Sequence, residues 1–187
     1  MSKFDHITIN TPRLLLRPLT QADQQAILGL RSNPLVSRYT GYQNWTSLQQ
    51  AAELIDKDIA AMAAGDYVRF GLVHRDNENL IGTCCLFHLD AQCRRAEIGY
   101  DLHPAMWGQG LMHESLAALL SLGYTDMGLN RIEADVDPLN LSSIKVLRRL
   151  GFQQEGLLRE RWIVDGMKSD TVILAMLHAE WLAQQCS

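Results

Sequence analysis

Between Leu102 and Phe152 the order of patterns leaves few architectures open. A strand closes at Leu102, and a glycine-bearing turn, Trp107-Gly108-Gln109-Gly110-Leu111-Met112, opens a helix that runs to about Tyr124. A strand over 131–136 follows, and Asn140 then caps a helix over 141–150 that Gly151 ends. Such an alternation of strand and helix requires a sheet with helices laid against it, so the chain reads as α/β in class. The two glycines also carry chemistry. Without β-carbons at 108 and 110 a polyanion can approach the backbone, where the unpaired N–H groups of a helix start point at it. That is the pattern of a pyrophosphate cradle. Two rival phosphate motifs fit less well. A Gly-x-Gly-x-x-Gly dinucleotide fingerprint needs a small residue where His113 stands, and no Gly-x-x-x-x-Gly-Lys-Ser/Thr loop occurs.

The rest of the chain supplies strands to complete the sheet. Arg13 to Leu19 alternates charge with leucine and predicts a strand; Thr20 caps a predicted helix to about Arg31, broken at Asn33-Pro34. Residues 37–46 read as a loop, and a helix starting at Thr46 or Ser47 stops near Gly65. Hairpins are predicted over 67–89, across Asp76-Asn77-Glu78-Asn79, and over 152–177, across Asp165-Gly166. Between them, Arg94 to Leu102 is the strand leading into the turn, and the unbroken apolar run 172–177 reads as a strand covered on both faces. At 187 residues, without repeat or linker, one domain with its core over about 11–178 is expected.

Composition narrows the function classes. The chain carries 17 Lys+Arg against 21 Asp+Glu, a net charge of −4, which disfavours direct nucleic-acid binding and suits a cationic acceptor. Cys84, Cys85, Cys93 and Cys186 form no metal-ligand spacing, and their usage favours a reduced, cytoplasmic setting. His113-Glu114 resembles the start of a zinc helix, but Ala117 stands where the second ligand belongs, so no metal is expected. No run approaches a membrane span of about 20 residues.

Five segments, in register along nearly the whole chain, are similar to the GNAT N-acetyltransferase superfamily, and within it to the ribosomal-protein N-terminal acetyltransferase branch. They are TPRLLLRPLTQAD, LIGTCCLFHLD, AEIGYDLHPAMWGQGLMHES, NRIEADVDPLNLSSIKVLRRLGFQQEG and DGMKSDTVILAML. Trp107 and Met112 depart from the family's pattern at the first and last positions of the turn. The resemblance implies a twisted, mostly antiparallel sheet flanked by helices and splayed at the cofactor cleft. It implies acetyl-coenzyme A as co-substrate and a primary amine as acceptor, most readily the N-terminus of a ribosomal protein attacked directly in a ternary complex. Small amines, amino acids or antibiotics are the alternative acceptors, and a silent acyl-coenzyme A-binding module is the alternative to an enzyme. A dimer is a family-level expectation.

The residues follow by position. Cofactor contacts fall to Leu102, Trp107, Gly108, Gln109, Gly110, Leu111, Met112, Asn140 and Ser143, with a backbone N–H near Leu102 as oxyanion donor. Glu97 is the candidate general base; an ion pair with Arg94 or Arg95 is its bland alternative. Ser143 is the candidate acid, because the position where many relatives carry tyrosine is Leu147. The branch's glutamate base is replaced here by Trp162. Tyr39, Tyr42, Trp45 and Trp162 are read as a substrate groove, though aromatic residues fill cores equally well.

Overall fold

The computed structural model describes residues 4–40, 43–164 and 166–185. Eight strands form one mixed sheet: β1 (Ile9–Asn10), β2 (Leu14–Arg17), β3 (Val68–His74), β4 (Leu80–Asp90), β5 (Arg95–Leu102), β6 (Arg131–Val136), β7 (Gln153–Val164) and β8 (Met167–Leu177). Their spatial order is β1-β2-β3-β4-β5-β6-β8-β7, and every pairing is antiparallel except β5 with β6. The helices are α1 (Gln24–Arg31), α2 (Pro34–Ser37), α3 (Leu48–Ala64), α4 (Leu111–Ser121), α5 (Leu141–Arg149) and α6 (His178–Gln185).

Side-chain alternation sorts the two faces of the sheet. Phe70, Cys84 and Tyr100 are register partners, as are Val68, Leu86 and Ile98, and this face packs on Leu111, Leu116 and Leu119 of α4 and Leu147 of α5. The opposite face presents Arg69, Cys85 and Gly99, with Gly71 and Asp101 either side of Thr83. There α1 and α3 bury a smaller cluster of Leu19, Ile27, Ala51 and Ile55. A β-carbon on Gly71 would meet the Leu19 and Leu80 side chains at 2.8 Å, which is why this strand carries glycine.

Several elements differ from the sequence reading, the unforeseen strand β1 among them. Asn33 does end α1, but its side chain then accepts from the Leu35 N–H and caps the one-turn α2. The helix expected to reach Tyr124 stops at Ser121 and widens into a π-turn over Leu122–Asp126, whose Tyr124 hydroxyl donates to the Met176 carbonyl at 2.7 Å. Helix α6 was not anticipated. Its Glu180 carboxylate accepts from the Leu177 N–H, supplying from inside the helix the cap that no preceding Ser, Thr, Asn or Asp provides.

The β5–β6 pairing decides where chemistry can happen. It lasts for three residue pairs, Arg95–Arg131, Ala96–Ile132 and Glu97–Glu133, and then the strands part while β5 runs on to Leu102 beside β4. A slot therefore opens through the sheet, bounded by 98–102 and 134–136. Arg94 O accepts from Asn130 and Arg131 on the β6 side, whereas His103 N–H donates to Ile81 on the β4 side. Alternation from these two fixed points turns the N–H groups of Ile98, Tyr100 and Leu102 toward the slot.

Candidate active site

On the α4 face, Gly108 and Gly110 have φ of +76° and +77°, a region that costs an L-residue about 1–2 kcal/mol. A β-carbon at Gly108 would meet nothing within 4 Å, so the turn presents bare backbone to open space. Glu114 N–H bonds Gly110 O at 3.1 Å and begins the helical ladder, leaving the N–H groups of Leu111, Met112 and His113 facing the turn. Met112, which departs from the family pattern, does not crowd this cradle: its side chain is buried in the core, as is that of Leu111. These two residues can thus offer backbone contacts alone. Trp107 donates from Nε1 to Leu102 O at 2.8 Å, and Gln109 donates to Ala105 O. Both side chains brace the loop.

Arg13 was missed in the sequence reading. Its Nη1 donates to Gln109 O at 2.8 Å and its Nε to Glu114 at 2.7 Å, which hangs a cation beside Gly110. Glu114 also accepts from Thr11 Oγ and Arg13 N–H. Partial burial raises the Glu114 carboxyl, but these donors outweigh it and hold the group below the usual carboxylate range. Glycine turn, helix-start donors and arginine together fit a pyrophosphate.

At the slot, Asn140 caps α5 by accepting from Ser143 N–H at 3.1 Å. The Ser143 hydroxyl lies 2.5 Å from Tyr100 Oη, a second residue the sequence reading overlooked. Burial pushes the Tyr100 phenol up to about 12, against the opposing pull of its bond to Ser143.

The other face holds a cleft of about 770 Å³, lined by Glu97, Gly99, Asp101, Cys85, Arg31, Arg69, Asp135, Tyr39 and Trp162. Glu97 pairs at 3.0 Å with His88 rather than with Arg94 or Arg95. His88 sits at φ +50°, within the β4–β5 irregularity between Phe87 and Asp90, so a strained bulge aims the imidazole. Arg95 instead joins Arg131 around Glu133, and Arg131 reaches on to Glu155 at 2.9 Å. Burial works to raise Glu133, and the two guanidinium groups more than reverse it; at Glu155 the hydrogen bond from Arg131 dominates and likewise lowers the carboxyl. Neither is suited to be a base. Asp135 is saturated differently, accepting from Trp162 Nε1 at 3.1 Å and from the Thr171 hydroxyl.

Of the aromatic residues read as a groove, Tyr39 and Trp162 line the cleft. Trp45 does not: it packs against the α1–α3 cluster, and Arg31 lies over its ring at 5.8 Å. The periodicity around Trp45 is too short to tell a cleft wall from a satellite core. Tyr42 lies outside the described residues. The floor is charged, with Arg31 bound to Asp101 at 2.7 Å and Arg69 to Asp58 at 3.1 Å, all four side chains nearly buried.

The sheet thus carries a glycine turn with free helix-start donors on one face and a charged cleft on the other, joined by the slot between β5 and β6. The family model described as an acetyltransferase (GNAT) domain matches residues 13–153, and the chain belongs to that family. It is 36% identical over 174 residues to the uncharacterized N-acetyltransferase p20 of Bacillus licheniformis, covering 93% of this chain and 98% of that one. A spermidine N-acetyltransferase from Vibrio cholerae, solved with CoA and spermine, superposes with a TM-score of 0.82 at 24% identity over 92% of this chain and 99% of its own. RimL, a ribosomal L7/L12 alpha-N-protein acetyltransferase solved with CoA, superposes at 0.85 with 21% identity, over 91% and 98%. The chain is thus an N-acetyltransferase, and both solved structures share its fold.

Proposed function

We propose that this N-acetyltransferase moves an acetyl group from acetyl-coenzyme A to the α-amine of a protein N-terminus, a ribosomal protein being the acceptor the branch resemblance favours. The observation that carries the reading is the slot, with Glu97 at its head on the acceptor face and Ser143 on the cradle face. Gly108, Gly110, the N–H groups of 111–113 and Arg13 would hold the pyrophosphate, with Asn140 and Ser143 along the pantetheine arm. The coenzyme supplies an activated acetyl thioester. The slot N–H groups of Ile98, Tyr100 and Leu102 are placed to donate to an oxyanion.

Glu97, partnered by His88, takes the amine's proton. An α-amine of pKa about 7.7–8.0 costs under about 1 kcal/mol to deprotonate near neutral pH, against roughly 4 kcal/mol for a lysine-like amine near 10.4. Direct attack is favoured because burial pushes the Cys85 thiol up, which unfits it to carry the acetyl group. The free Cys84, Cys85 and Cys93 accord with a cytoplasmic setting.

A polyamine is the competing acceptor, supported by the carboxylates Asp137 and Asp170 in the cleft lining. The deciding measurement is thiol release with free-amine peptides, their Nα-acetylated forms, spermidine and lysine. The peptides should turn over with the highest kcat/KM and their blocked forms not at all. Faster turnover of spermidine would overturn the α-amine assignment.

A further inference from the structure

The position where many relatives place a tyrosine on the cradle-face helix is Leu147 in this chain, and its side chain is buried in the core. The structure brings a different phenol to the slot. Tyr100 arrives from β5, on the face shared with α4 and α5, and its Oη lies 2.5 Å from Ser143 Oγ and 3.4 Å from Ser143 O. Ser143 is fixed independently, because Asn140 holds its N–H and α5 holds its backbone. Two hydroxyls at this distance share one hydrogen, and direction decides what the serine can do. If Ser143 donated to Tyr100, its only proton would be spent inside the protein. A phenol is much the stronger acid of the two, so Tyr100 donates and Ser143 accepts. The serine proton is then left to point into the slot, and each bond in such a chain strengthens the next.

We propose that Tyr100 is the positioning residue for the leaving group: it donates to Ser143 Oγ and so commits the serine proton to the coenzyme's sulfur. This rests on the acetyltransferase reading of the site. During transfer the amine nitrogen bonds the acetyl carbon, the C–S bond breaks, and its electron pair stays on sulfur. The proton lost by the amine goes to Glu97. No net proton crosses the Tyr100–Ser143 pair; the sulfur leaves as a hydrogen-bonded thiolate and takes its proton from water after release. A thiol of pKa about 8.5 makes this sufficient, since its thiolate needs stabilising more than protonating. A buried phenol pushed up to about 12 remains protonated throughout, as a standing donor must.

The test compares binding of coenzyme A with that of its desulfo analogue, by calorimetry at pH 7 and pH 9, in wild type, Tyr100→Phe, Ser143→Ala and the double variant. Wild type should prefer coenzyme A, and more strongly at pH 9, where the thiolate is populated. A hydrogen bond to a charged group is worth about tenfold or more, and each single variant should erase that preference. The double variant should lose no more of that preference than either single one, while desulfo affinity stays level in Tyr100→Phe. In acetyl-transfer assays Tyr100→Phe should lower kcat about tenfold at unchanged KM for acetyl-coenzyme A. A Tyr100→Phe protein that keeps the sulfur preference overturns the inference and leaves the functional reading intact. Wild type that binds neither ligand overturns both. A Tyr100→Phe protein that loses affinity equally for both ligands shows packing alone, and also overturns it.

Discussion

Removing the Glu97 carboxylate and removing the Ser143 hydroxyl should leave different traces in pH, because only the first takes a proton. Glu97→Gln should lose turnover below pH 8, where an α-amine is mostly protonated, and recover as pH rises. Ser143→Ala should lose a factor that hardly varies with pH. With a readily deprotonated amine and a good leaving group, both losses should lie near or below the low end of the ~10²–10⁴-fold range of acid–base catalysts. A Glu97→Gln profile of wild-type shape would remove Glu97 from the mechanism. At this scale the sequence made Glu97, Asn140 and Ser143 visible through their places in recognisable segments. Tyr100 and Arg13 stood in those same segments and went unseen, because each acts across the fold, Tyr100 on a residue 43 positions away and Arg13 on one 101 away. A signal for Tyr100 did exist: Leu147 leaves the usual phenol unfilled, and AEIGY carries one a strand away.

The cofactor turn shows how an element can be legible while its reason is not. The sequence reading made Gly108 and Gly110 glycines for the sake of a ligand; the positive φ at both makes them glycines for the sake of the chain as well. The two demands can be separated. Gly110→Val should lower stability by about 1–2 kcal/mol and raise the KM for acetyl-coenzyme A. Gly110→Asn tolerates left-handed backbone far better, so it should restore most of the stability while a side chain still blocks the phosphate, leaving KM high. If Asn restored both, the turn would matter only as backbone. The Glu114 clamp on this turn carries its own pH signature. Its folded carboxyl is lowered, so its contribution is fully present above the unfolded carboxylate range near 4.3 and is lost as pH falls through the folded value. Acid unfolding of Glu114→Gln should lack that component, and a wild-type and variant pair with parallel stability curves below pH 5 would show that the clamp is not coupled to folding. Elements whose caps are local, such as α3 and α5, were readable from sequence. The capping signal of α6 comes from its own third residue, and the π-turn after α4 is set by where Tyr124 must reach.

For the whole molecule, the feature least legible in sequence is the one that makes the site, the parting of β5 from β6. Pro104 marks where β5 must stop, but the strands separate at Ile98, well before it. Pairing length depends on what occupies both faces, and local periodicity does not record it. The cleft side of the slot is held by charge as well as by packing. Arg31 on α1 grips Asp101 on β5, and Arg69 on β3 grips Asp58 on α3, so the helical layer over the cleft is tied to the sheet by two nearly buried ion pairs. Such pairs add little over a well-packed apolar core, yet removing one partner strands a buried charge and costs about 3–5 kcal/mol. Asp101→Asn should therefore destabilise the protein by close to that amount in urea unfolding, whereas Glu160→Gln, at the exposed Lys168 pair, should cost under about 1 kcal/mol. Because Asp101 faces the acceptor cleft and the cradle lies across the sheet, the variant should raise KM for the amine and leave that for acetyl-coenzyme A unchanged. A rise in both constants would mean that the two halves of the site are not mechanically separate, and that the slot transmits strain from one face of the sheet to the other.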